Sequence, residues 1–75
     1  MIINEIIGNV NSGQYKDARI DLLEIEWFEA TKRVQRLITK AGKDIALKLL
    51  REGQRLREGD VLINNSEHTV VIHIK

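Results

Sequence analysis

The sequence contains no cysteine. Its absence excludes disulfide bonds and any zinc site built on thiolates, and it suits a cytoplasmic location. There is also no run of about 20 apolar residues, the length that a helix needs to cross a bilayer. The apolar N-terminus carries Glu5 and has no basic flank, so it does not resemble a signal peptide. We therefore expect a cytoplasmic protein that is neither secreted nor membrane-embedded.

Aromatic residues are scarce, with one tryptophan, one phenylalanine and one tyrosine among 75 residues. A chain of this length forms one domain, residues 1–75, whose folding buries only about 60% of the unfolded surface. A large side chain is therefore valuable in the core. Trp27 continues the face of Ile25 in an alternating segment. This spacing predicts that Trp27 is a mostly buried structural anchor, with Phe28 on the opposite face and partly exposed.

Groups suited to catalysis are few. A hydrolase or transferase brings together a nucleophile, a base and a polarising group, and the only imidazole bases are His68 and His73. The five glycines stand singly, so no phosphate-binding loop is present. Glu24 and Glu26 share one face of a strand, where alternating acids are usually solvated. The sequence therefore predicts no catalytic residues and no enzyme.

The two histidines are also poor candidates for a metal site. They are separated by an odd number of positions, which places their side chains on opposite faces of one strand. His68 is expected in a solvated turn and His73 on an exposed strand position. We therefore expect no metal ligand and no cofactor in this chain.

Charge is distributed unevenly along the sequence. Residues 1–30 carry two basic and six acidic side chains, whereas residues 31–60 carry nine basic and four acidic ones. Such polarity can steer a charged partner towards one face. The net charge is only +1 and the pI about 8.1, below the values above 9 that are typical of nucleic-acid modules.

The basic half begins directly after the two large aromatic residues. Aromatic side chains beside cations can bind single-stranded nucleic acid by stacking and phosphate contact, so a small nucleic-acid-binding β-barrel is one possible function. The same surface could instead accept an extended peptide along a sheet edge. The candidate partner-binding surface consists of Phe28, Lys32, Arg33, Arg36 and Lys40.

Short apolar segments separated by turn residues predict an all-β fold, a small sandwich or barrel. The segment 2–10 is rich in β-branched residues, and residues 9–18 contain turn formers. Six strands are expected, with a short helical turn at about 28–32. The other five strands are predicted at 20–27, 33–40, 44–50, 61–63 and 69–74.

The region 27–41 fits two patterns. Its apolar residues match one stripe of a helix, and they also match the alternating faces of a strand. The glycine in the Lys40–Lys43 segment, followed by alternating residues from Ile45, is typical of a β-hairpin. We therefore predict strands on both sides of this turn.

Three segments together resemble a known family, the N-terminal domain of UreE urease accessory proteins. The first, W-F-E-A-T-K-R-V-Q-R, spans residues 27–36 and is similar to the family's opening segment. The second, T-K-A-G-K-D-I-A-L-K-L at 39–49, resembles the family run T-x-x-G-x-D-I-A-I-x-L. The third, L-R-E-G-D-V-L at 56–62, matches the family turn L-x-x-G-D-V-L. The resemblance extends over the whole chain.

The resemblance implies a sandwich of two stacked three-stranded mixed sheets with one short helical turn, similar to the peptide-binding domain of DnaJ-type co-chaperones. It implies a protein-interaction domain of a nickel metallochaperone that helps to insert nickel into urease. The implied partners are the urease apoenzyme and other accessory proteins, including a GTPase, and the full-length family member is a homodimer. Nickel is bound in the family by a C-terminal domain whose G-N-R-H motif is absent from these 75 residues. The resemblance assigns no nickel ligand to any residue here.

Overall fold

The computed structural model describes residues 2–15, 19–50, 55–65 and 67–75. These residues form seven strands and two 3₁₀ turns, and among them no helix is long and apolar enough to cross a membrane. The strands are β1 (Ile2–Ile3), β2 (Gly8–Asn9), β3 (Ile20–Ile25), β4 (Val34–Ile38), β5 (Asp44–Lys48), β6 (Asp60–Asn64) and β7 (Thr69–Ile74). The turns are η1 (Val10–Ser12) and η2 (Trp27–Glu29).

The strands form two mixed sheets. The three-stranded sheet has the order β1-β5-β4, in which β5 pairs parallel with β1 and antiparallel with β4. The four-stranded sheet has the order β2-β6-β7-β3, in which β3 pairs parallel with β7 and the other two pairs are antiparallel. The all-β sandwich expected from the sequence is confirmed.

Aliphatic side chains from both sheets fill the space between them. Alternation along each strand sends every second side chain inward, which explains why Leu23 and Ile25 on β3 are buried together with Ile45 and Leu47 on β5. Leu56, in the segment before β6, joins the same cluster. Aromatic side chains do not belong to it, so aliphatic packing forms this core.

The first segment differs from its prediction. It forms two short strands, β1 and β2, which belong to different sheets, so the implied three-plus-three arrangement becomes three plus four. The apolar residues of this segment occur as adjacent pairs, Ile2-Ile3 and Ile6-Ile7, and one member of each pair packs against the core while the other, Ile2 or Ile7, is exposed. The break at Asn4 and Glu5 lets the chain pass from one sheet to the other.

The other predicted elements are confirmed within a few residues. The hairpin of β4 and β5 forms around Gly42, whose φ of 91° suits a glycine. The short helical turn begins one residue earlier than expected, at Trp27. The prediction of a strand at 33–40, and not a helix, is therefore confirmed. The pairing with β5 outweighs the helical pattern of this segment.

A turn before β6 fixes the N-terminal segment to the four-stranded sheet. Gly59, with a φ of 83°, accepts a hydrogen bond from the Val10 amide at 2.9 Å. The Asn9 side chain donates to the Asp60 carboxylate at 3.0 Å and to the Glu58 carbonyl at 3.1 Å. The Asp60 carboxylate also accepts from the Arg57 amide at 2.8 Å, so these polar groups satisfy one another.

Candidate partner-binding surface

Turn η2 brings two aromatic side chains to the surface. Trp27 is 67% exposed and Phe28 is 55% exposed. Their rings meet edge to face, with centroids 5.8 Å apart and planes at 87°, an arrangement that aromatic pairs prefer. The prediction of a buried Trp27 anchor is wrong, whereas the expected exposure of Phe28 is confirmed.

The path of the chain after β3 explains the exposure of Trp27. The ladder between β3 and β7 ends at Ile25, so the alternation of the strand does not reach Trp27. The chain turns at Glu26, whose amide donates to the Glu29 carboxylate at 2.9 Å. The fully buried Ala30, which ends the 3₁₀ turn, faces the core instead.

Hydrogen bonds hold η2 against the rest of the fold. The Gln35 side chain on β4 donates to the carbonyl of Glu29 at 3.0 Å and to that of Lys32 at 3.3 Å. On the other side, the Leu56 amide donates to the Ala30 carbonyl at 2.8 Å. The backbone beneath the aromatic pair is therefore ordered before any partner binds.

Strand β4 displays cations and apolar residues in alternation on its outer face. Val34 is 66% exposed, Ile38 is 69% exposed, and Arg36 between them has a side chain that is 77% exposed. Lys32 and Lys40 extend the same every-second-residue spacing at the two ends of the strand. The inward positions of β4 hold the half-buried Gln35 and Leu37. Within β4 the outer face is thus apolar, basic and apolar in turn, with a lysine beyond each end of the strand.

Two ion pairs lie along this face. Arg36 donates to both carboxylate oxygens of Asp44 on β5, at 3.0 and 2.5 Å. This hydrogen bonding lowers the pKa of Asp44 and raises the pKa of Arg36. Lys40 lies 3.9 Å from the Glu24 carboxylate on β3. Among the residues described, Lys32 and Arg33 form no ion pair, so their charges are available to a partner.

Backbone groups on one side of β4 face away from its own sheet. Among the described strands, β4 lies at the edge of its sheet and pairs only with β5. The Leu49 amide donates to the Arg33 carbonyl at 2.8 Å and the Thr39 amide donates to the Lys43 carbonyl at 2.9 Å. Odd-numbered residues of β4 therefore bond to β5, and the backbone groups of the even-numbered residues point outward.

The hydrogen bonds just after the C-terminal end of β4 agree with this alternation of backbone directions. The Lys40 amide points away from β5 and donates to the Leu22 carbonyl of β3 at 2.9 Å. Its neighbour, the Ala41 amide, donates to the carboxylate of the buried Asp21 at 3.0 Å. The edges of the two sheets therefore meet at Lys40, and the outward backbone groups of β4 lie before that junction.

The structure places the predicted surface residues in a line and not in a compact cluster. Phe28 lies on η2, Lys32 and Arg33 lie directly before β4, and Arg36 lies within it. Lys40 is roughly 20 Å from Arg33 at the usual rise of a strand. Sequence reasoning omitted Trp27, Val34 and Ile38 from the surface. For Val34 and Ile38, the sequence did contain a signal of exposure: each lies two residues from Arg36 and so shares its face of the strand.

The histidines occupy separate places. His68 contacts the Lys43 ammonium through its Nε2 atom, which joins the turns of two hairpins. His73 Nδ1 lies 3.2 Å from the Glu58 carboxylate, which also accepts the Ile74 amide at 2.8 Å. Within the described ranges, no three side chains of the types that bind metal come together.

Comparisons with known proteins extend over nearly the whole chain. The family model of the UreE urease accessory protein N-terminal domain matches residues 3–75. The chain is 46% identical over 74 residues to the urease accessory protein UreE of Flavobacterium johnsoniae, with 99% of the chain and 45% of that protein covered. The corresponding protein of Helicobacter pylori is 34% identical over 76 residues, with coverages of 99% and 44%.

A third relative gives the same result. The urease accessory protein UreE of Actinobacillus pleuropneumoniae is 32% identical over 77 residues, with 97% of the chain and 41% of that protein covered. The chain therefore spans less than half the length of these relatives, which are named as accessory proteins and not as enzymes. Because the family model covers almost every residue, the chain belongs to the family of UreE urease accessory protein N-terminal domains.

Proposed function

We propose that residues 1–75 form the protein-interaction domain, of a peptide-binding kind, in a cytoplasmic urease accessory nickel metallochaperone. The family match and the names of the relatives support this role. In this proposal the partners are the urease apoenzyme and other urease accessory proteins, including the GTPase. The domain contributes contacts to nickel insertion, while nickel itself is bound by a C-terminal domain.

The exposed pair of Trp27 and Phe28 is the observation that carries this proposal. Together they present a large apolar surface to water on an ordered turn. Tryptophan is enriched among residues that dominate the free energy of protein association. A preordered backbone also lowers the entropy that binding must overcome. Lys32 and Arg33 follow directly, and they can attract an acidic partner surface.

The direct test measures binding of the purified chain to immobilised nickel-free urease from the same source by biolayer interferometry. We expect the Trp27→Ala/Phe28→Ala double variant to bind at least about tenfold more weakly, as for loss of an interface hot spot. Ile20→Ala is the matched control, because Ile20 is 47% exposed and lies on β3, away from η2. It should bind like the unchanged chain.

Two results would contradict the proposal. One is the absence of binding to urease and to a mixture of the other accessory proteins. The other is full binding by the double variant, which would show that the aromatic pair is not the contact. Circular dichroism of each variant separates loss of contact from loss of fold.

A second candidate function, binding of single-stranded nucleic acid, is favoured by the same exposed rings beside Lys32 and Arg33. Stacking of bases on aromatic rings contributes about 1–3 kcal/mol per base. Fluorescence titration with single-stranded oligonucleotides decides this alternative. Tight binding that weakens steeply with salt and is lost in Arg33→Ala/Arg36→Ala would support it. Feeble binding at physiological salt, the result that we expect, would reject it.

A further inference from the structure

We infer that the outer edge of β4, residues 34–38, binds an extended partner segment in which acidic and apolar residues alternate, by adding it as a fourth strand to the sheet. This inference rests on the proposed interaction function and specifies the chemistry of the segment. These residues, 34–38, are the β4 edge. Three observations carry the inference: the backbone groups, the side-chain pattern and the charge.

The backbone of the β4 edge is open to strand addition. The N–H and C=O groups of Val34, Arg36 and Ile38 point away from β5, as shown by the bonds of their odd-numbered neighbours. Unpaired groups along an edge are a template for another strand. The Lys40 amide is already bonded to the Leu22 carbonyl, so it is not available to an added strand. An added segment can therefore pair only with residues that precede Lys40.

The side chains of the β4 edge set the sequence of the segment. Residues directly opposite each other in neighbouring strands lie about 4.5–5.5 Å apart and contribute most when their chemistry matches. Arg36 therefore requires an acidic residue opposite it, and Val34 and Ile38 require apolar ones. Lys32 and Lys40 flank the strand and can attract further acidic residues at the ends of the segment. Arg36 keeps N–H donors beyond the two that it gives to Asp44, so it can bind a second carboxylate.

Charge excludes a second copy of the chain as the occupant. Every charged residue at an outward position of β4 or its flanks is cationic: Lys32, Arg36 and Lys40. Two copies paired antiparallel about Arg36 would bring cations opposite cations, and a shift by two residues would bring cations opposite apolar side chains. Both arrangements are unfavourable. The edge therefore selects a different partner that supplies the acidic groups.

A synthetic nonapeptide provides the test. Its sequence Glu-Thr-Val-Thr-Glu-Thr-Val-Thr-Glu matches the β4 edge in either direction, and binding is followed by fluorescence anisotropy of a labelled copy. We expect saturable binding that weakens when lysine replaces each glutamate. Methylation of backbone nitrogens then separates strand addition from simple charge attraction, because an N-methyl group removes a donor without changing charge.

The N–H groups of the valine residues and those of the threonine residues serve as controls for each other. In an antiparallel added strand the valine N–H groups face β4 and the threonine N–H groups face water, and in a parallel strand the assignment is reversed. We expect N-methylation of one set to weaken binding at least about tenfold and of the other set to have little effect. Equal tolerance of both methylated peptides would overturn the inference, as would the absence of binding by the parent peptide.

Variants of the protein give an independent measurement. Val34→Pro removes an outward N–H group and spares the bonds to β5, because proline is tolerated where the N–H faces solvent at a sheet edge. Val34→Ala removes the same apolar contact and keeps the N–H group. We expect the proline variant to bind the nonapeptide at least about fivefold more weakly than the alanine variant. Equal binding by two folded variants would contradict strand addition.

The urease measurement separates this inference from the proposed function. Urease binding that survives in folded Val34→Pro at full affinity overturns strand addition and leaves the interaction function standing. Analytical ultracentrifugation of the unchanged chain measures its oligomeric state and completes the test. A tight dimer that Val34→Pro dissociates would show that a second copy occupies the edge, which would also overturn the inference.

Discussion

Two aromatic residues remain in water although the core of this small protein could have used them. The core instead consists of leucine, isoleucine, valine and alanine side chains, and Leu23, Ile45 and Leu56 are fully buried. Burying Trp27 would require β3 to extend beyond Ile25, where its ladder with β7 ends. The exposed rings are therefore available for contacts with other molecules, and the fold has little need of them.

This arrangement leads to a prediction about stability at the residue scale. Trp27→Ala should change the free energy of unfolding by less than about 1 kcal/mol, because substitutions at exposed sites have small effects. Leu47→Ala, at a position that is 1% exposed, should cost about 2–5 kcal/mol. Chemical denaturation followed by circular dichroism measures both values. The native fluorescence of Trp27 should be red-shifted and freely quenched by acrylamide, and a blue-shifted, protected emission would contradict the exposure.

The pair of Arg36 and Asp44 predicts a pH effect. The hydrogen bond from Arg36 lowers the pKa of Asp44 in the folded chain, so folding favours the ionised carboxylate. The resulting stabilisation is present above the unfolded pKa of aspartate and is lost as the pH falls through the lower folded pKa. Both side chains are largely exposed, so the effect should be small.

Carboxyl NMR titration measures this shift directly. The pKa of Asp44 should lie below the usual aspartate range and return towards it in Arg36→Gln. Lys48→Gln serves as the control, since Lys48 is also on β5 but pairs opposite Val34. An Asp44 pKa that does not respond to removal of Arg36 would show that the pair does not form in solution.

At the scale of elements, two glycine turns of similar geometry should respond differently to alanine. Gly42 and Gly59 both have positive φ angles, 91° and 83°, which cost an L-residue about 1–2 kcal/mol. A Cβ at Gly42 would meet nothing within 4 Å, whereas at Gly59 it would lie 2.8 Å from Val10 Cγ2. Gly42→Ala should therefore cost about 1 kcal/mol. Gly59→Ala should cost about 2–4 kcal/mol, since the displacement of packed atoms is added.

Equilibrium denaturation in urea of both variants gives these values. The m-value shows whether each variant still unfolds as one unit. Equal losses of stability in the two variants would mean that the N-terminal segment moves away from the turn at no cost.

Sequence reasoning succeeded where local signals and alternation agreed. The hairpin around Gly42 followed from a turn flanked by alternating residues. It failed at Ile2–Val10, because the pairing of the two short strands with different sheets depends on residues far away in the sequence. It also failed at Trp27, because β3 ends at Ile25 and the chain turns before Trp27. Phe28 and the basic residues of the candidate surface follow from composition and are exposed, whereas the open edge of β4 depends on pairing between distant strands.

At the scale of the whole molecule, the separation of the histidines leads to a prediction about nickel. His68 lies in the turn before β7 and His73 near its end, and each already contacts another charged side chain. Nickel favours several imidazole ligands around one ion. Isothermal titration of the chain should therefore show only weak, non-stoichiometric binding, little changed in His68→Ala/His73→Ala. A stoichiometric site of sub-micromolar affinity would refute this prediction.

The position of β7 has a consequence for synthesis in the cell. This strand lies between β6 and β3, and its ladder joins residues 20–25 to residues 69–74. A ribosome produces about 5–20 residues per second from the N-terminus, so β3 emerges seconds before β7, with which it pairs. The four-stranded sheet closes only when the last strand has left the exit tunnel, and pairings between such distant residues form slowly. Until then β3, with Leu23 and Ile25, lacks the neighbouring strand that joins it to its sheet.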